Sequence, residues 1–298
     1  MKNTKVIILA AGCFFCAILI FSFLPSPTRG QSNQLKVSFI NVGQGDSALL
    51  QAPGHMDILI DGGPVSAGPT VVAYLNSQNI ADIDVLLASH NDADHIGGLT
   101  DVLNSSIPVK AVIFNGDPLT TTTYLNFENA LKTHDLTPTP AASGQAYTWG
   151  LLSAQVLNPH IPLDTDQNEN SIVLLLTYDQ IHLLFPGDIG SSTEGIILAE
   201  GTPIAADVLK VAHHGSKYSS SASFLEAVKP KYAVISVGPN SYGHPAPETL
   251  DRLTAAGAHI FRTDQQGTVV LFSDGQTVYT ETVRLYVYLP ALLNLPNP

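Results

Sequence analysis

The sequence predicts an α+β fold, two packed mixed sheets with helices on their outer faces, and three observations lead there. Apolar runs of strand length and amphipathic runs of helix length alternate from residue 36 to 272, giving about twelve strands and six helices. Ser171–Tyr178 and Ile181–Phe185 are separated only by Asp179-Gln180, a hairpin connection that no purely parallel sheet contains. The 298 residues are 45% hydrophobic and 13% charged, which excludes disordered, collagen-like and coiled-coil classes. A chain of this length buries a core without disulfide or metal staples, so any metal is expected to serve function first.

Taken in order, the chain opens with Val6–Leu24, 19 residues without a charge, preceded by Lys2 and Lys5 and followed by Pro25, Pro27 and Arg29. This run is long enough to span a bilayer, and the slight basic excess before it places the remainder outside the cytoplasm. Residues 1–30 are therefore expected to be an uncleaved anchor, a signal peptide cut after Thr28-Arg29-Gly30, or a lipoprotein leader modified at Cys13. Cys13 and Cys16, the only cysteines, lie inside the run and are expected to pack in the membrane.

The strand candidates are Lys36–Asn41, Ser47–Gln51, Asp57–Ile60, Asp84–Ser89, Ala111–Phe114 and Ala154–Leu157, then Ser171–Tyr178, Ile181–Phe185, Asp207–Ala212, Tyr232–Val237, His259–Arg262 and Thr268–Phe272. The helix candidates are Pro69–Ser77, Gly98–Leu103, Tyr124–Thr133, Ser192–Glu200, Ser220–Val228 and Pro247–Ala256. Thr137–Ser143, with Pro138 and Pro140, is expected to be a surface loop, and Leu285–Pro298 a strand followed by a tail. With no internal repeat, residues 31–275 are expected to form one domain and 276–298 a C-terminal strand and tail.

Beyond residue 30 the chain carries 25 acidic residues against 10 Lys and Arg, a formal charge of −15. A protein that grips polyanions by counterion release wants basic stripes, and only Lys210, Lys217, Lys229 and Lys231 form a small cluster. Bound metal ions would supply positive charge locally. With no cysteine there, a metal site must use histidines and carboxylates.

The densest group of such residues is Ser89-His90-Asn91-Asp92-Ala93-Asp94-His95-Ile96-Gly97-Gly98, directly after an apolar strand and before a helix. A tight turn there can aim His90 and Asp92 at one divalent ion and Asp94 and His95 at a second, an arrangement that clamps attacking and leaving oxygens in hydrolysis. The competing reading, a solvated turn whose Asp caps the helix, leaves two histidines and a second carboxylate unexplained.

This HxDxDH run resembles the second motif of the metallo-beta-lactamase fold, in the branch that includes the extracellular hydrolase domain of the ComEC competence family. The stretches Phe39-Ile40-Asn41-Val42-Gly43-Gln44-Gly45-Asp46-Ser47, Ile58-Leu59-Ile60-Asp61-Gly62-Gly63, Asn170-Ser171, Phe185-Pro186-Gly187-Asp188, Leu209-Lys210-Val211-Ala212-His213-His214-Gly215-Ser216 and Tyr242-Gly243-His244-Pro245 agree with that branch in order and content. The resemblance spans Val37 to about Phe272 and implies a four-layer αββα sandwich with a dinuclear site, Zn or Mn, at the sheet edges.

It also implies roles. Asp61 orients the ligand loop, and Asp188, at a strand end, bridges the two ions. Of His213 and His214, adjacent strand residues would face opposite ways, so His214 is expected on the metal and His213 in orientation or phosphate contact. His244 either completes a metal shell or donates to the substrate's leaving oxygen. Asn170-Ser171 stands where the family's third-motif histidine would fall, so either His213 or His244 is expected to fill the first ion's shell. Asp94 and His244 are the expected catalytic residues, with Asp61, His213, Asn170 and Ser171 behind the ligands or against the substrate.

His55, His134, His160, His182 and His259, without a clustered carboxylate, are expected to be structural or solvated. Gly43-Gln44-Gly45-Asp46-Ser47 lacks the Lys-Ser/Thr end of a phosphate loop and is expected to be a hairpin turn near the site. The expected activity is exported, metal-assisted hydrolysis of an anionic phosphodiester, DNA if the resemblance extends so far. Hydrolysis of a small ester, lactone or lactam suits the −15 charge better, and a non-catalytic exported binding module is the third reading. The N-terminal segment would make the membrane a partner if it stays uncleaved; no protein partner can be inferred.

Overall fold

The computed structural model describes residues 34–280; the N-terminal segment and Leu285–Pro298, with the expectations attached to them, lie outside these residues. The strands run in chain order β1 Leu35–Phe39, β2 Ala48–Ala52, β3 Met56–Ile60, β4 Val85–Ala88, β5 Val112–Phe114, β6 Thr139–Pro140, β7 Ala146–Trp149 and β8 Leu152–Asn158. They continue as β9 Val173–Tyr178, β10 Ile181–Phe185, β11 Val208–Lys210, β12 Tyr232–Ile235, β13 His259–Arg262, β14 Val269–Ser273 and β15 Val278–Thr280. The helices are α1 Gly68–Ser77, α2 Ala93–Ile96, α3 Leu99–Leu103, α4 Thr122–Thr133, α5 Ser191–Glu200, α6 Ala222–Val228, α7 Pro247–Ala255 and α8 Thr263–Gln266.

One sheet has the order β15-β14-β1-β2-β3-β4-β5-β6 and the other β13-β12-β11-β10-β9-β8-β7. Both are mixed. In the first, β3, β4 and β5 are parallel while β1, β2 and β14 pair antiparallel. In the second, β10 to β13 are parallel and β7 to β10 a meander of hairpins.

Strand alternation builds the four layers. Leu50, Ile58, Leu87, Leu174, Leu183 and Val234 point into the space between the sheets, while Leu49, Leu59 and Leu86 face α1, α3 and α4 on one outer side. Val173, Leu184, Leu209 and Ile235 face α5, α6 and α7 on the other. Buried on both sides, strands such as Val173-Leu174-Leu175-Leu176 read as continuous apolar runs. Phe39 of β1 and Phe185 of β10 stack across the two sheets, centroids 5.9 Å apart.

The expected twelve strands and six helices all form, with shifted ends. β6, β7 and β15 are additions: the expected loop Thr137–Ser143 contributes two residues that pair with β5 at the sheet edge, too short to leave a periodic signal. The β14–β15 pairing carries the first sheet on to Thr280.

Truncating a ring in the inter-sheet layer leaves a cavity that the paired sheets cannot collapse. Phe39→Ala is expected to cost about 3–5 kcal/mol, whereas Leu125→Ala, on the exposed side of α4, should change stability by less than about 0.5 kcal/mol. Chemical denaturation of the two variants checks this.

Candidate metal centre

The site forms where β1, β3 and β4 of one sheet and β10, β11 and β12 of the other end on the same edge of the sandwich. Each contributes the loop after its last residue. The loops touch closely enough to need glycine. A Cβ on Gly45, at φ +142°, would run into the Asp94 carbonyl, and one on Gly98 into the Gly62 carbonyl. These contacts, with the Asp46 amide donating to the Asp94 carbonyl and the Gly62 amide to that of His95, weld the loops after β1 and β3 to the ligand-bearing turn.

His90 precedes the short helix α2 and His95 lies within it, their rings 4.0 Å apart, both fully buried. Asp92 occupies the cap position of α2, yet its side chain accepts no capping hydrogen bond. It is 42% exposed, with Oδ2 3.7 Å from His90 Nε2, so capping does not explain it. Asp94 Oδ2 lies 3.3 Å from His214 Nε2. Asp188 is buried after β10, two residues short of the Gly190 cap of α5, and its Oδ2 lies 3.3 Å from His95 Nε2 and 3.2 Å from His214 Nε2.

Every one of these three histidines has its Nδ1 engaged. His95 Nδ1 donates to Asp61 Oδ2 at 2.9 Å, and His214 Nδ1 to the Ser236 carbonyl at 2.9 Å. His90 Nδ1 meets Ser89 Oγ at 3.2 Å, whose own proton goes to Asp61 Oδ2 at 2.7 Å. With the proton on Nδ1, the Nε2 lone pairs face inward, and His90 Nε2, His95 Nε2 and His214 Nε2 are all buried without a hydrogen-bond partner. Buried polar atoms are almost always satisfied, so three unsatisfied lone pairs aimed among carboxylates fit a divalent cation. Among the described residues the groups within ligating reach of one another are His90, His95 and Asp188; Asp94, His95 and His214; Asp46, Asp61 and His95; and Asp46, Asp188 and His214, with Asp92 in none of them.

His213 and His214 do not lie in a strand. β11 ends at Lys210, and both residues take the left-handed conformation, φ 49° and 52°, followed by Gly215 at 82°. Strand alternation therefore does not separate them. The Gly187 carbonyl accepting from the His213 amide and the Ser236 carbonyl accepting from the His214 ring hold the turn, against about 1–2 kcal/mol per residue for such backbone. His214 enters the carboxylate cluster; His213 remains half-buried beside His244, centroids 5.5 Å apart. His244 belongs to none of the ligating groups, and its Nδ1 is buried without a partner. Ser171 Oγ accepts from the Asp188 amide at 3.0 Å, whereas the Asn170 side chain binds Asp117 Oδ2 and the Asp164 backbone.

Two residues here were not singled out by sequence reasoning. Asp46 is buried with Oδ1 3.5 Å from His214 Nδ1, and Lys210, expected in a basic surface cluster, is instead buried. The Lys210 ammonium pairs with Asp46 Oδ2 and lies 3.3 Å from Asp188 Oδ1 and 3.2 Å from the Gly187 carbonyl. The one available signal was its place in Asp207–Ala212, where a charge interrupts an apolar strand. His160, expected to be structural or solvated, pairs with Glu200 at 2.6 Å, both side chains partly exposed.

Burial opposes charge throughout the cluster, and the partners overcome it. His95 is raised well above its ordinary 6.5 by Asp188, Asp61 and Asp46, and His214 likewise by Asp188 and Asp46. Asp188 is held well below the usual carboxylate range by His214, His95 and Lys210, and Asp94 at about 2 chiefly by its hydrogen bond to His214. Burial, with His213 and His214, pushes His244 down to about 4.

Residues 40–238 match the family described as the metallo-beta-lactamase superfamily, and the chain belongs to it. It is 31% identical over 265 residues to Competence protein ComA of Neisseria gonorrhoeae, an alignment covering 88% of this chain and 36% of that one. It is 29% identical over 280 residues to ComE operon protein 3 of Bacillus subtilis, again 88% and 36%. Recombination protein 2 of Haemophilus influenzae matches at 29% over 85% of this chain and 30% of its own. The chain thus spans about a third of the length of these relatives. Among solved structures, the metallo-beta-lactamase fold protein YhfI of Bacillus subtilis aligns with 81% of this chain and 100% of its own at a TM-score of 0.53 and 13% identity, a likeness of fold.

Removing Lys210 leaves buried carboxylates without their cation. Lys210→Met is expected to destabilise the metal-free protein by about 3–5 kcal/mol, part of it recovered on adding Mn²⁺, as thermal melts with chelator and with metal will show. The raised His95 and His214 make the folded metal-free state bind protons more tightly than the unfolded one. The stability that these two histidines contribute is therefore full below pH 6.5 and falls as pH rises above it. Metal competes for the same lone pairs, so melts with metal added should lose this downward trend between pH 6.5 and 8.5.

Proposed function

We propose that this member of the superfamily is an exported, metal-dependent phosphodiesterase acting on DNA. The observation that carries the reading is the convergence of three partnerless Nε2 atoms on the buried Asp188 and its neighbouring carboxylates. Two divalent ions, Zn or Mn, held by His90, Asp92, Asp94, His95, Asp188 and His214 would supply Lewis acidity and lower the pKa of a water toward neutrality. The chain's own residues do the remainder. Asp61, Ser89 and the Ser236 carbonyl fix the histidine tautomers, while Ser171 and Lys210 hold Asp188, the proposed bridge, by its amide and its Oδ1. His213 and His244, with pKa values lowered first by burial, are neutral at pH 7 and are assigned to donate N–H to the phosphate and leaving oxygens.

A shell of carboxylates and imidazoles without thiolate suits hard ions and phosphate oxygens. DNA as the substrate is supported by the competence and recombination names of the relatives. Residues 1–30 are proposed as the export segment, 31–275 as the hydrolase and 276–298 as its C-terminal strand and tail; among the described residues no helix is long and apolar enough to cross a membrane. The charge of −15 beyond residue 30 favours a second reading, a small uncharged ester, lactone or lactam at the same centre.

The purified full-length chain should bind two ions and cleave bis-p-nitrophenyl phosphate and single-stranded DNA when Mn²⁺ or Zn²⁺ is added. Asp94→Ala, at a side chain 35% exposed, should lower turnover about a hundred- to a thousandfold while the metal-free protein stays folded, its melt lowered only by the loss of the contact to His214. Two bound ions with no phosphodiester cleavage would move the assignment to carbonyl substrates; unfolding of the variant would undercut the role of Asp94.

A further inference from the structure

Tyr242 is 74% exposed, among the most exposed large side chains of the described residues. Isolated exposed rings are ordinary on protein surfaces and mean nothing by themselves. This one is different in how it is held and in what it adjoins. Asn240 pins its loop with four hydrogen bonds. Nδ2 donates to the Gly238 and His244 carbonyls at 2.9 and 2.8 Å, and Oδ1 accepts from the Tyr242 and His244 amides, both at 3.0 Å. The loop is tied in turn to the histidine turn, where the Ala246 amide donates to the Gly215 carbonyl at 2.8 Å.

A relay of rings then leads inward. Tyr242 lies 5.7 Å from His244, tilted by 31°, His244 lies 5.5 Å from His213, and His213 lies 6.3 Å from His214 in the ligand cluster. The phenol therefore stands at the outer end of this relay, 74% exposed, on a loop that Asn240 ties down. An aromatic face fixed beside a phosphodiester site, without a basic stripe around it, is suited to bases and not to backbone charge.

Resting on the phosphodiesterase reading above, we propose that Tyr242 is a base-stacking residue. It takes an unpaired nucleobase next to the scissile phosphodiester and gives the site a preference for single-stranded nucleic acid. Every base has a π-face, so the preference is for unstacked strands and not for sequence. Duplex substrates, whose bases are already stacked on their neighbours, gain nothing from it. Tyr242 touches substrate only; the reacting atoms are left to the residues further in.

The test uses the full-length chain with Mn²⁺ and two oligonucleotides of equal length, one bearing bases and one abasic throughout. The wild type should favour the base-bearing strand in kcat/KM by roughly tenfold or more. Tyr242→Ala should bring that ratio close to one by raising KM for the base-bearing strand alone, with kcat and the abasic strand unchanged, and Tyr242→Phe should restore it. Leu151→Ala, at an apolar residue 63% exposed between β7 and β8, serves as a surface control. An unchanged ratio in Tyr242→Ala, or an equal fall for both strands, would overturn the stacking role while leaving the phosphodiesterase intact. Failure of the wild type to cleave either strand or bis-p-nitrophenyl phosphate would instead overturn the underlying reading and the stacking role with it.

Discussion

The structure around the site depends on one electrostatic problem and its solution. Asp46, Asp61 and Asp188 are buried at the edge of the sandwich beside Asp94, and carboxylates removed from water repel one another unless cations lie among them. The Lys210 ammonium, on the last residue of a central strand, supplies one charge between Asp46 and Asp188. The remaining negative charge faces three imidazole nitrogens that have nothing else to bind. The chain has thus placed an excess of anionic oxygen around free lone pairs, an environment that a divalent ion completes. The glycine contacts, the loops cut to length and the parallel strand ends all serve to keep these groups from drifting apart.

Orientation is as deliberate as charge. Each ligating candidate among the histidines is gripped at the ring atom it does not offer, by Asp61, by Ser89 or by a backbone carbonyl. Such grips fix tautomer and ring plane together, which a shell of freely rotating side chains would not. The left-handed turn at His213 and His214 belongs to the same logic. Non-glycine residues there store strain, and surrounding contacts must over-determine them. Asp61, at φ 57°, stores strain in the same way. Three of the nine non-glycine residues with positive φ among the described residues, Asp61, His213 and His214, thus belong to the cluster and its supports, while others such as Asn79, Asp179 and Lys229 lie in turns and at helix ends.

Much of this was legible in the sequence. The alternating runs marked the central strands because burial on both faces leaves continuous apolar stretches. The turn His90 to Gly98 marked itself because two histidines and two acids have no purpose in an ordinary turn. Other features were not legible, for physical reasons. β6 and β15 are too short to show a period, and exist only because a neighbouring strand is there to pair with. The choice between His213 and His214 could not be made from strand alternation, since the strand had ended and backbone conformation, not parity, decides where each ring goes. Asp46 and Lys210 are partners across 164 positions of sequence, and a single lysine in a short apolar strand does not reveal its buried carboxylate partners until the sheets are assembled.

The origin of the ligands has a consequence for how the protein comes into being. His90 and His95 hang from the first sheet, while Asp188 and His214 hang from the second, so the groups that include Asp188 or His214 draw on both sheets, and only Asp46, Asp61 and His95 come together from the first alone. In a chain made from its N-terminus, His90 and His95 precede Asp188 by 98 and 93 residues. The groups that include Asp188 or His214 can close only once both sheets have docked face to face. A chain that ends before the second sheet therefore lacks them, and completion of the centre becomes a report that the whole sandwich has been assembled.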